Sequence, residues 1–346
     1  MKERGLRRLA AVAAGIAVLA LIWALFQPLA GNGGAPVQVT IPRDAGVSKI
    51  GDILDRKGVV PSGFLFTLRA RLGGDSGDLK PGLYTLHEHM TYGDVLDELV
   101  KGPGSDLIRL TIPEGLSRRE IAPRAQAAGV QGDYRAASAD ASRIPYRRYG
   151  LAQAPPSLEG FLFPATFDLR RGTGADVLVD KQLAAFRQNF AGVDLSYARR
   201  KNLTVYDVVT IASMVERETR VARERPLVAA VIYNRLHAHQ PLGIDATIRY
   251  ATANWTRPLT KSELALDSPY NTRTRVGLPP TPIGNPGLAS LEAAAHPARV
   301  GYLYYVVKPG TCGEHAFSST FAEFQRDQAR YNTARQAAGG RSPTTC

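Results

Sequence analysis

The chain has 346 residues, of which 44% are hydrophobic and 21% are charged. This composition is that of a globular protein and excludes a chain that is disordered over most of its length. The formal net charge of +12 at pH 7 suits an anionic partner, such as an acidic membrane surface or a wall polymer. The basic residues are scattered and form no block with interleaved aromatic residues, so nucleic acid is not an expected partner.

The first 33 residues are predicted to form a cytoplasmic stub and a transmembrane anchor. Residues 9–26 carry no charged or strongly polar side chain, and a helix of this length measures roughly 27 Å, close to the ~30 Å hydrocarbon core. Basic residues precede this run and residues 27–38 are uncharged, which predicts a cytoplasmic N-terminus. A cleaved signal peptide is the alternative, but the apolar run is longer than usual and Pro28-Leu29-Ala30 is a poor cleavage site. The expected location is the inner (cytoplasmic) membrane, with a single span and the rest of the chain exported.

Residues 34–104 are predicted to form a small module. The pattern predicts a strand over 37–41, helices over 47–57 and 61–72, and a second strand within 80–86. A further helix begins after Thr91, with Asp94 placed for a capping box. This strand-helix-helix-strand order resembles LysM-like glycan-binding modules. Because small βααβ units serve many ends, a module that only packs against the rest of the chain is the alternative.

Residues 105–335 are predicted to form a larger mixed module, followed by a tail over 336–346. A strand is expected over 107–114, a helix capped by Ser117 and Glu120, and short helix and loop over 127–142. Residues 157–167 read as an aromatic strand in which Glu159 is the only acid among apolar neighbours. We expect this carboxyl to be solvated at a strand end, and the alternative is a cleft that raises its pKa.

The most informative helix is predicted within residues 202–220. Thr204 and Asp207 provide its capping signal. Val208, Ile211, Val215 and Glu218 fall on one stripe at helical spacing. The apolar face therefore ends in a carboxyl group, where desolvation would raise the pKa and leave a proton to donate near neutral pH.

Two other features of this helix bear on Glu218. An ion pair with Arg225, seven residues further on, is the alternative role for its carboxylate. Glu216 lies about 200° around the helix axis from Glu218, so the two carboxylates are not expected to share one site.

Cysteine and histidine spacing gives no metal site. The two cysteines, Cys312 and Cys346, show no CxxC spacing, and they could pair in an oxidising compartment. The histidines show no usual zinc spacing. Two pairs, at 87 with 89 and at 237 with 239, could each bring two imidazoles together, but we expect polar loop residues. We predict no metal and no organic cofactor.

Many short motifs occur in order along the exported part of the chain. They are Lys80-Pro-Gly-Leu-Tyr84, Pro113-Glu-Gly115, Leu158-Glu-Gly160, Val215-Glu-Arg-Glu-Thr219, Glu224-Arg-Pro226, Val231-Ile-Tyr-Asn-Arg-Leu236, Ile244-Asp-Ala-Thr247, Ser268-Pro-Tyr-Asn-Thr272, Gly277-Leu-Pro-Pro280, Pro282-Ile283, Ala293-Ala-Ala-His-Pro297 and His315-Ala-Phe317. Together they resemble the endolytic murein transglycosylases, the MltG or YceG-like family.

The resemblance implies a lyase that cleaves the β-1,4 bond between N-acetylmuramic acid and N-acetylglucosamine in nascent peptidoglycan and leaves a 1,6-anhydromuramoyl end. This reaction needs one acid, because the C6 hydroxyl of the substrate is the nucleophile, whereas two-carboxylate glycosidases need a second acid. The resemblance also implies that the partner is the glycan strand of peptidoglycan. It further implies that the protein works beside glycan polymerases (penicillin-binding proteins), where its cleavage would terminate strand elongation. The implied fold is α+β, with a transmembrane helix, a LysM-like βααβ module and a mixed catalytic module.

The resemblance assigns the catalytic acid to Glu218, which precedes a hydroxyl residue as in other lytic transglycosylases. Supporting or substrate-binding roles fall to Glu216, Glu159, Asn234, Arg235, Asp245, Thr247, Tyr270, Asn271, Thr272 and His315. Two positions depart from the family pattern: Ala165 stands where Asp is more common, and Thr281 where Gly is.

Two other functional classes stay open from the sequence. A non-catalytic glycan-binding protein would use the same cleft without needing the carboxyl of Glu218. A hydrolytic muramidase would keep the acid but admit water, and would leave a reducing sugar end.

Overall fold

The computed structural model describes residues 15–16, 34–103 and 107–345. The chain divides into two compact units between Leu107 and Ile108. The described residues contain helices and three two-stranded sheets, so the α+β class is confirmed. The predicted anchor over 9–26 lies outside them apart from Gly15 and Ile16. Within the described ranges, we find no helix whose length and apolar content would let it cross a bilayer.

Among the described residues, the first unit contains two strands and three α-helices. They are β1 (Pro36–Ile41), α1 (Val47–Arg56), α2 (Gly63–Gly73), β2 (Gly82–His87) and α3 (Tyr92–Lys101). The strand-helix-helix-strand order was predicted, and β1 pairs with β2 in antiparallel fashion. Thr91 caps α3 by accepting a hydrogen bond from the Asp94 amide at 3.1 Å.

The core of this unit lies between one face of the sheet and the helices. Alternate residues such as Val39 and Leu86 point inward, and Ile50 and Leu54 of α1 meet them, all at most 2% exposed. Helices α1 and α2 approach closely because both contribute a glycine at the contact. A Cβ atom on Gly51 would lie 2.5 Å from the carbonyl oxygen of Gly63, so any larger residue would push the helices apart.

The second unit contains four strands and ten helices among the described residues. The first half has β3 (Leu107–Thr111), α4 (Arg118–Ala127), α5 (Tyr134–Ala137), β4 (Thr166–Arg170), α6 (Ala175–Phe190) and α7 (Ser196–Arg200). The second half has α8 (Val205–Glu218), α9 (Arg225–His237), α10 (Asp245–Thr252), α11 (Lys261–Leu264), α12 (Leu288–Ala295), β5 (Tyr304–Val307), β6 (His315–Ser318) and α13 (Phe321–Ala337). Strand β3 pairs with β4 and β5 with β6.

Helix α8 is the centre of this unit. Every residue from Val208 to Val215 is buried, and α8 packs on α9 and α12. Thr204 and Asp207 form the predicted capping box at its start. The hydroxyl of Ser213 accepts a hydrogen bond from the Ile283 amide at 3.0 Å, which attaches a proline-rich loop to the helix.

The strand expected over 157–167 is wrong for most of its length, because β4 begins only at Thr166. The preceding residues form turns, and the turn amides donate hydrogen bonds to a loop that is distant in the sequence. The side-chain oxygen of Asn285 accepts from the Gly160 amide at 2.9 Å and from the Leu162 amide at 3.0 Å. The aromatic side chains are still buried, since the turn packs into the core.

Candidate active site

Glu218 is the last residue of α8, at the point where the chain leaves the helix. Thr219 follows in an extended conformation, which frees the carboxyl group from the helix surface. One carboxyl oxygen accepts from the Ala246 amide at 3.4 Å and the other from the Tyr305 hydroxyl at 3.2 Å. The stripe predicted from the sequence therefore delivers this carboxyl to a place where α10 and β5 meet the end of α8.

The pKa of Glu218 is raised above its usual range. Burial is the main cause, and the negative charge of Asp245 adds to it. The Ala246 amide, the charge of His315 and the Tyr305 hydroxyl favour the ionised form and partly offset the rise in pKa. Burial therefore favours the protonated form of this carboxyl, which is the form that a general acid needs.

His315 is fixed beside this carboxyl by a buried acid. Its ring Nδ1 lies 2.8 Å from Oε2 of Glu224, and its amide donates to Oε1 of Glu224 at 3.0 Å. Both side chains are less than a tenth exposed. The His315 ring packs edge-on against Tyr305, with the centroids 5.1 Å apart, so Glu224 orients a histidine that contacts the tyrosine bonded to Glu218.

Asp245 lies at the open side of the site. Its carboxylate accepts from Nε of Arg273 at 2.7 Å, and both side chains are nearly half exposed. Glu218 is also partly buried, and the charge of Asp245 acts on its carboxyl group.

Glu216 makes the ion pair that the sequence offered as an alternative role for Glu218. Nη2 of Arg225 lies 3.4 Å from Oε1 of Glu216, and the Gly287 amide donates to Oε2 at 3.0 Å. The Glu216 side chain is 7% exposed. Arg225 also lies 3.9 Å from Glu114, so Glu216 belongs to a separate charged cluster that joins α8 to α9 and to the start of α12.

Glu159 is buried, so the expectation of a solvated strand end is wrong. It is 3% exposed and accepts from the Arg118 amide at 3.0 Å, from the Tyr250 hydroxyl at 3.1 Å and from the side-chain amide of Asn285 at 2.9 Å. Burial raises the pKa of Glu159 to about 7, although these donors oppose the rise. The structure supports the alternative from the sequence, in which burial raises the pKa of this carboxyl.

The other predicted residues form a frame of side chains bonded to backbone groups. The Asn234 amide donates to the carbonyls of Val300 and Tyr302 at 2.9 and 2.8 Å. Arg235 donates to the carbonyl of Leu303 at 2.6 Å. Three further residues join the loop over 268–272 to α10 and α11. Thr247 of α10 bonds to Thr272 at 3.0 Å, Asn271 to the carbonyls of Leu264 and Leu266 at 3.1 and 2.8 Å, and Thr272 to the Ile244 amide at 3.0 Å. These contacts hold α10 and β5 in the positions from which they meet Glu218.

Tyr270 and the two positions that depart from the family pattern, Ala165 and Thr281, each make a hydrogen bond in the structure. The Tyr270 hydroxyl lies 2.8 Å from that of Thr281, which is 5% exposed, so the hydroxyl present where glycine is more common anchors Tyr270. The Ala165 carbonyl accepts from the Ile112 amide at 3.0 Å, a contact that does not depend on the side chain at this position.

The structure thus brings Glu218, Asp245 and His315 together and places Glu216 and Glu159 in separate clusters. Sequence reasoning missed Tyr305, which touches Glu218, and assigned no role to Glu224. The signal for Glu224 was its place in a family motif, whereas an aromatic strand gave no signal for Tyr305. Among the described residues, no group of three or more histidine, cysteine or acidic side chains is arranged to hold a metal ion.

The fold and the site define the class of this protein. It is an α+β protein whose candidate site is centred on one partly buried carboxyl group, that of Glu218, at the end of a central helix. A family model described as the YceG-like family matches residues 39–330. The chain belongs to the YceG-like family.

Relatives of known name agree with this assignment. The chain is 34% identical over 311 residues to an endolytic murein transglycosylase of Streptococcus pneumoniae, a match that covers 81% of this chain and 55% of the relative. It is 28% identical over 320 residues to one of Bacillus subtilis, covering 89% of this chain and 88% of the relative. The chain thus spans about half the length of the pneumococcal relative.

The fold also has a counterpart among solved structures. A crystal structure of a YceG-like protein of Listeria monocytogenes superposes with a TM-score of 0.57 at 29% identity. The superposition covers 84% of this chain and 98% of the other.

Proposed function

We propose that this protein is an endolytic lytic transglycosylase that cleaves the MurNAc-β-1,4-GlcNAc bond of nascent glycan strands and terminates their elongation. The observation that carries the proposal is Glu218, a partly buried carboxyl group with a raised pKa, held by the Tyr305 hydroxyl and the Ala246 amide. Membership of the YceG-like family and the names of the relatives support it.

In the proposed mechanism, Glu218 is first the acid and then the base. It donates its proton to the glycosidic oxygen as the bond from C1 to that oxygen breaks, and positive charge develops on the muramoyl ring. The substrate acetamido group stabilises this charge. The C6 hydroxyl then attacks C1, and its proton passes to the Glu218 carboxylate, so that no water is consumed and the enzyme is restored.

The surroundings of Glu218 suit both steps. The raised pKa keeps the proton available for donation. The hydrogen bonds from Tyr305 and Ala246 then stabilise the carboxylate that remains. The Asp245 carboxylate at the open side adds negative charge near the developing positive charge, and Arg273 holds it in place.

We assign the remaining predicted residues to positioning and substrate contact. His315, Asp245 and Tyr270 belong to the wall of the proposed glycan cleft. Asn234, Arg235, Thr247, Asn271 and Thr272 fix the loops behind it. Glu216 and Glu159 support the site from neighbouring clusters.

We also propose the module boundaries and the location. Residues 1–33 form a cytoplasmic stub and a single span of the inner membrane, 34–104 a LysM-like glycan-binding module, 105–335 the catalytic module and 336–346 a tail. The observed β-α-α-β order of the first unit supports the LysM-like assignment. In this location the enzyme would act beside glycan polymerases as strands emerge.

The test compares Glu218→Gln with Glu216→Gln on uncrosslinked glycan strands, with the products read by mass spectrometry. We expect the wild type to release products lighter by one water than hydrolysis products. Glu218→Gln should fold and lose cleavage, whereas Glu216→Gln should keep part of it, since Glu216 bonds to Arg225 and Gly287 instead. Hydrated products would indicate a muramidase, and binding without any product would indicate a glycan-binding protein.

A further inference from the structure

A basic cleft lies on the face of the second unit formed by α7, α9 and the loop after α12. It consists of two adjoining hollows of about 300 and 520 Å³ that share Tyr197, Lys201 and Asn234. We call this surface the α7–α9 cleft. His237 and His239 line the first hollow, and Arg200 and Arg299 line the second.

Positive charge in the α7–α9 cleft is not neutralised by the protein. Neither lining contains Asp or Glu, and in the described parts of the chain none of Arg200, Lys201 and Arg299 makes an ion pair. The neighbouring acid Asp194 is bonded to Ser196 and lies 3.1 Å from His296. An anion that enters the cleft would therefore not have to displace a carboxylate of the protein from these cations.

Two of the cations, Arg200 and Lys201, lie over the ring of Tyr197, which is held by its neighbours. The guanidinium carbon of Arg200 lies 5.7 Å from the Tyr197 ring centroid, and Nζ of Lys201 lies 5.9 Å from it. Tyr197 packs against Tyr233 with centroids 5.7 Å apart, and the Tyr233 hydroxyl donates to the Ala294 carbonyl at 2.7 Å. Such a pre-formed wall lowers the ordering cost of binding.

The α7–α9 cleft shares its frame with the Glu218 site. The Asn234 side chain that lines the cleft is bonded to the carbonyls of Val300 and Tyr302, and Tyr305 follows on the same segment. Val300 lines the second hollow, and five residues of chain can separate its Cα from that of Tyr305 by at most about 18 Å. The second hollow and the Tyr305 side of the Glu218 site are therefore close along the chain, within this distance of each other.

We propose that the α7–α9 cleft binds the carboxylates of uncrosslinked stem peptides on the glycan strand, an inference that rests on the proposed function. Guanidinium groups pair with carboxylates through two parallel hydrogen bonds, and a free stem peptide presents such carboxylates along the strand. The cleft thereby favours strands that still carry their peptides over bare glycan.

The test uses the full chain and two substrates, uncrosslinked strands with stem peptides and the same strands stripped by an amidase. The test variant is Arg200→Gln with Lys201→Gln, and the control is Arg170→Gln with Arg171→Gln, which removes the same charge from exposed residues at the end of β4. We expect wild-type kcat/KM to be about tenfold higher on peptide-bearing strands. The test variant should lose this preference and keep wild-type kcat/KM on stripped strands, while the control should match the wild type on both.

Equal wild-type rates on the two substrates, or an equal loss on both in the test variant, would overturn the proposal. If the wild type cleaves neither strand, the proposed activity fails on its own, and cosedimentation of the uncleaved strands then decides the binding question. Preferential binding of peptide-bearing strands that disappears in the test variant would support the cleft. Competition of that binding by inorganic pyrophosphate but not by a free stem peptide would point to a phosphate group and contradict the assignment.

Discussion

Tyr305 is the side chain whose removal most directly tests the state of Glu218. Its hydroxyl donates to the Glu218 carboxyl at 3.2 Å and favours the ionised form. In Tyr305→Phe that donor is absent, so the pKa of Glu218 should rise further. We expect the alkaline limb of the kcat–pH profile to move to higher pH and kcat to fall about tenfold, because the carboxylate left after proton donation is less stable. An unchanged alkaline limb would show that Glu218 is not the titrating acid.

Glu224 is expected to act through His315. The variant Glu224→Gln keeps the size of the side chain but replaces an acceptor by a donor at Nδ1 of His315, 2.8 Å away, and so favours the other ring tautomer. We expect kcat to fall about tenfold with KM little changed. Glu314→Gln is the matched control, since Glu314 precedes His315 and is paired with Arg223 at 2.6 Å.

A loss of activity in Glu224→Gln that merely follows a lower melting temperature would count against this orienting role. Equal losses in both variants would do the same. Glu224→Asp is not expected to restore kcat, because the shorter side chain cannot bridge both the amide and the ring of His315.

At the scale of elements, Glu159 joins α4, α10 and the loop that contains Asn285. The folded-state pKa of about 7 exceeds the ordinary value of 4.5, so between these values the folded state binds more protons than the unfolded state. The free energy of unfolding should therefore fall as pH rises from about 4.5 to about 7, by at most about 3 kcal/mol from this group. The pKa of Glu218 is also raised and contributes to the fall in both proteins. Urea unfolding across this range should therefore show a steeper fall in the wild type than in Glu159→Gln.

The control for this measurement is Glu292→Gln on the exposed side of α12. It should keep the wild-type slope, because its carboxyl is not buried among polar donors. A fall in unfolding free energy that is as steep in Glu159→Gln as in the wild type would place the responsible titration at another group.

Local features of the fold could be predicted from the sequence because their partners are near in the chain. The caps at Thr91, Ser117 and Thr204 each involve a residue three positions on. The apolar stripe of Val208, Ile211 and Val215 and the position of Glu218 at its end follow from spacing within the helix, although the structure buries α8 on every side from Val208 to Val215. The family motifs extended this reading to His315 and Asp245, which the structure brings near Glu218.

The rest could not be predicted because it depends on residues far apart in the sequence. Glu159 is buried by Tyr250 and Asn285, and the pairing of Glu224 with His315 spans 91 positions. The aromatic pattern over 157–167 resembled a strand because its side chains are buried. What favours a turn over a strand here is the side chain of Asn285, which accepts hydrogen bonds from the turn amides.

At the scale of the whole molecule, folding collects charges that look scattered in the sequence. Arg200 and Arg299 are separated by most of the central region of the second unit, yet they line one hollow. Part of the overall charge of +12 is therefore concentrated on one face of the second unit. This face shares α9 and the 300–305 segment with the Glu218 site. Net charge alone could not locate this face, since location is a property of the fold.

The separate cores lead to a prediction about the two units. The buried residues between Val39 and Leu99 form one cluster, and those between Leu110 and Ala295 form another. We therefore expect a fragment of residues 105–346 to unfold cooperatively in urea and to cleave uncrosslinked strands with a kcat close to that of the full chain. It should bind insoluble peptidoglycan less tightly in a cosedimentation assay, because it lacks residues 34–104, for which we propose a glycan-binding role. A fragment that folds and cleaves but binds peptidoglycan as well as the full chain would refute a glycan-binding role for residues 34–104.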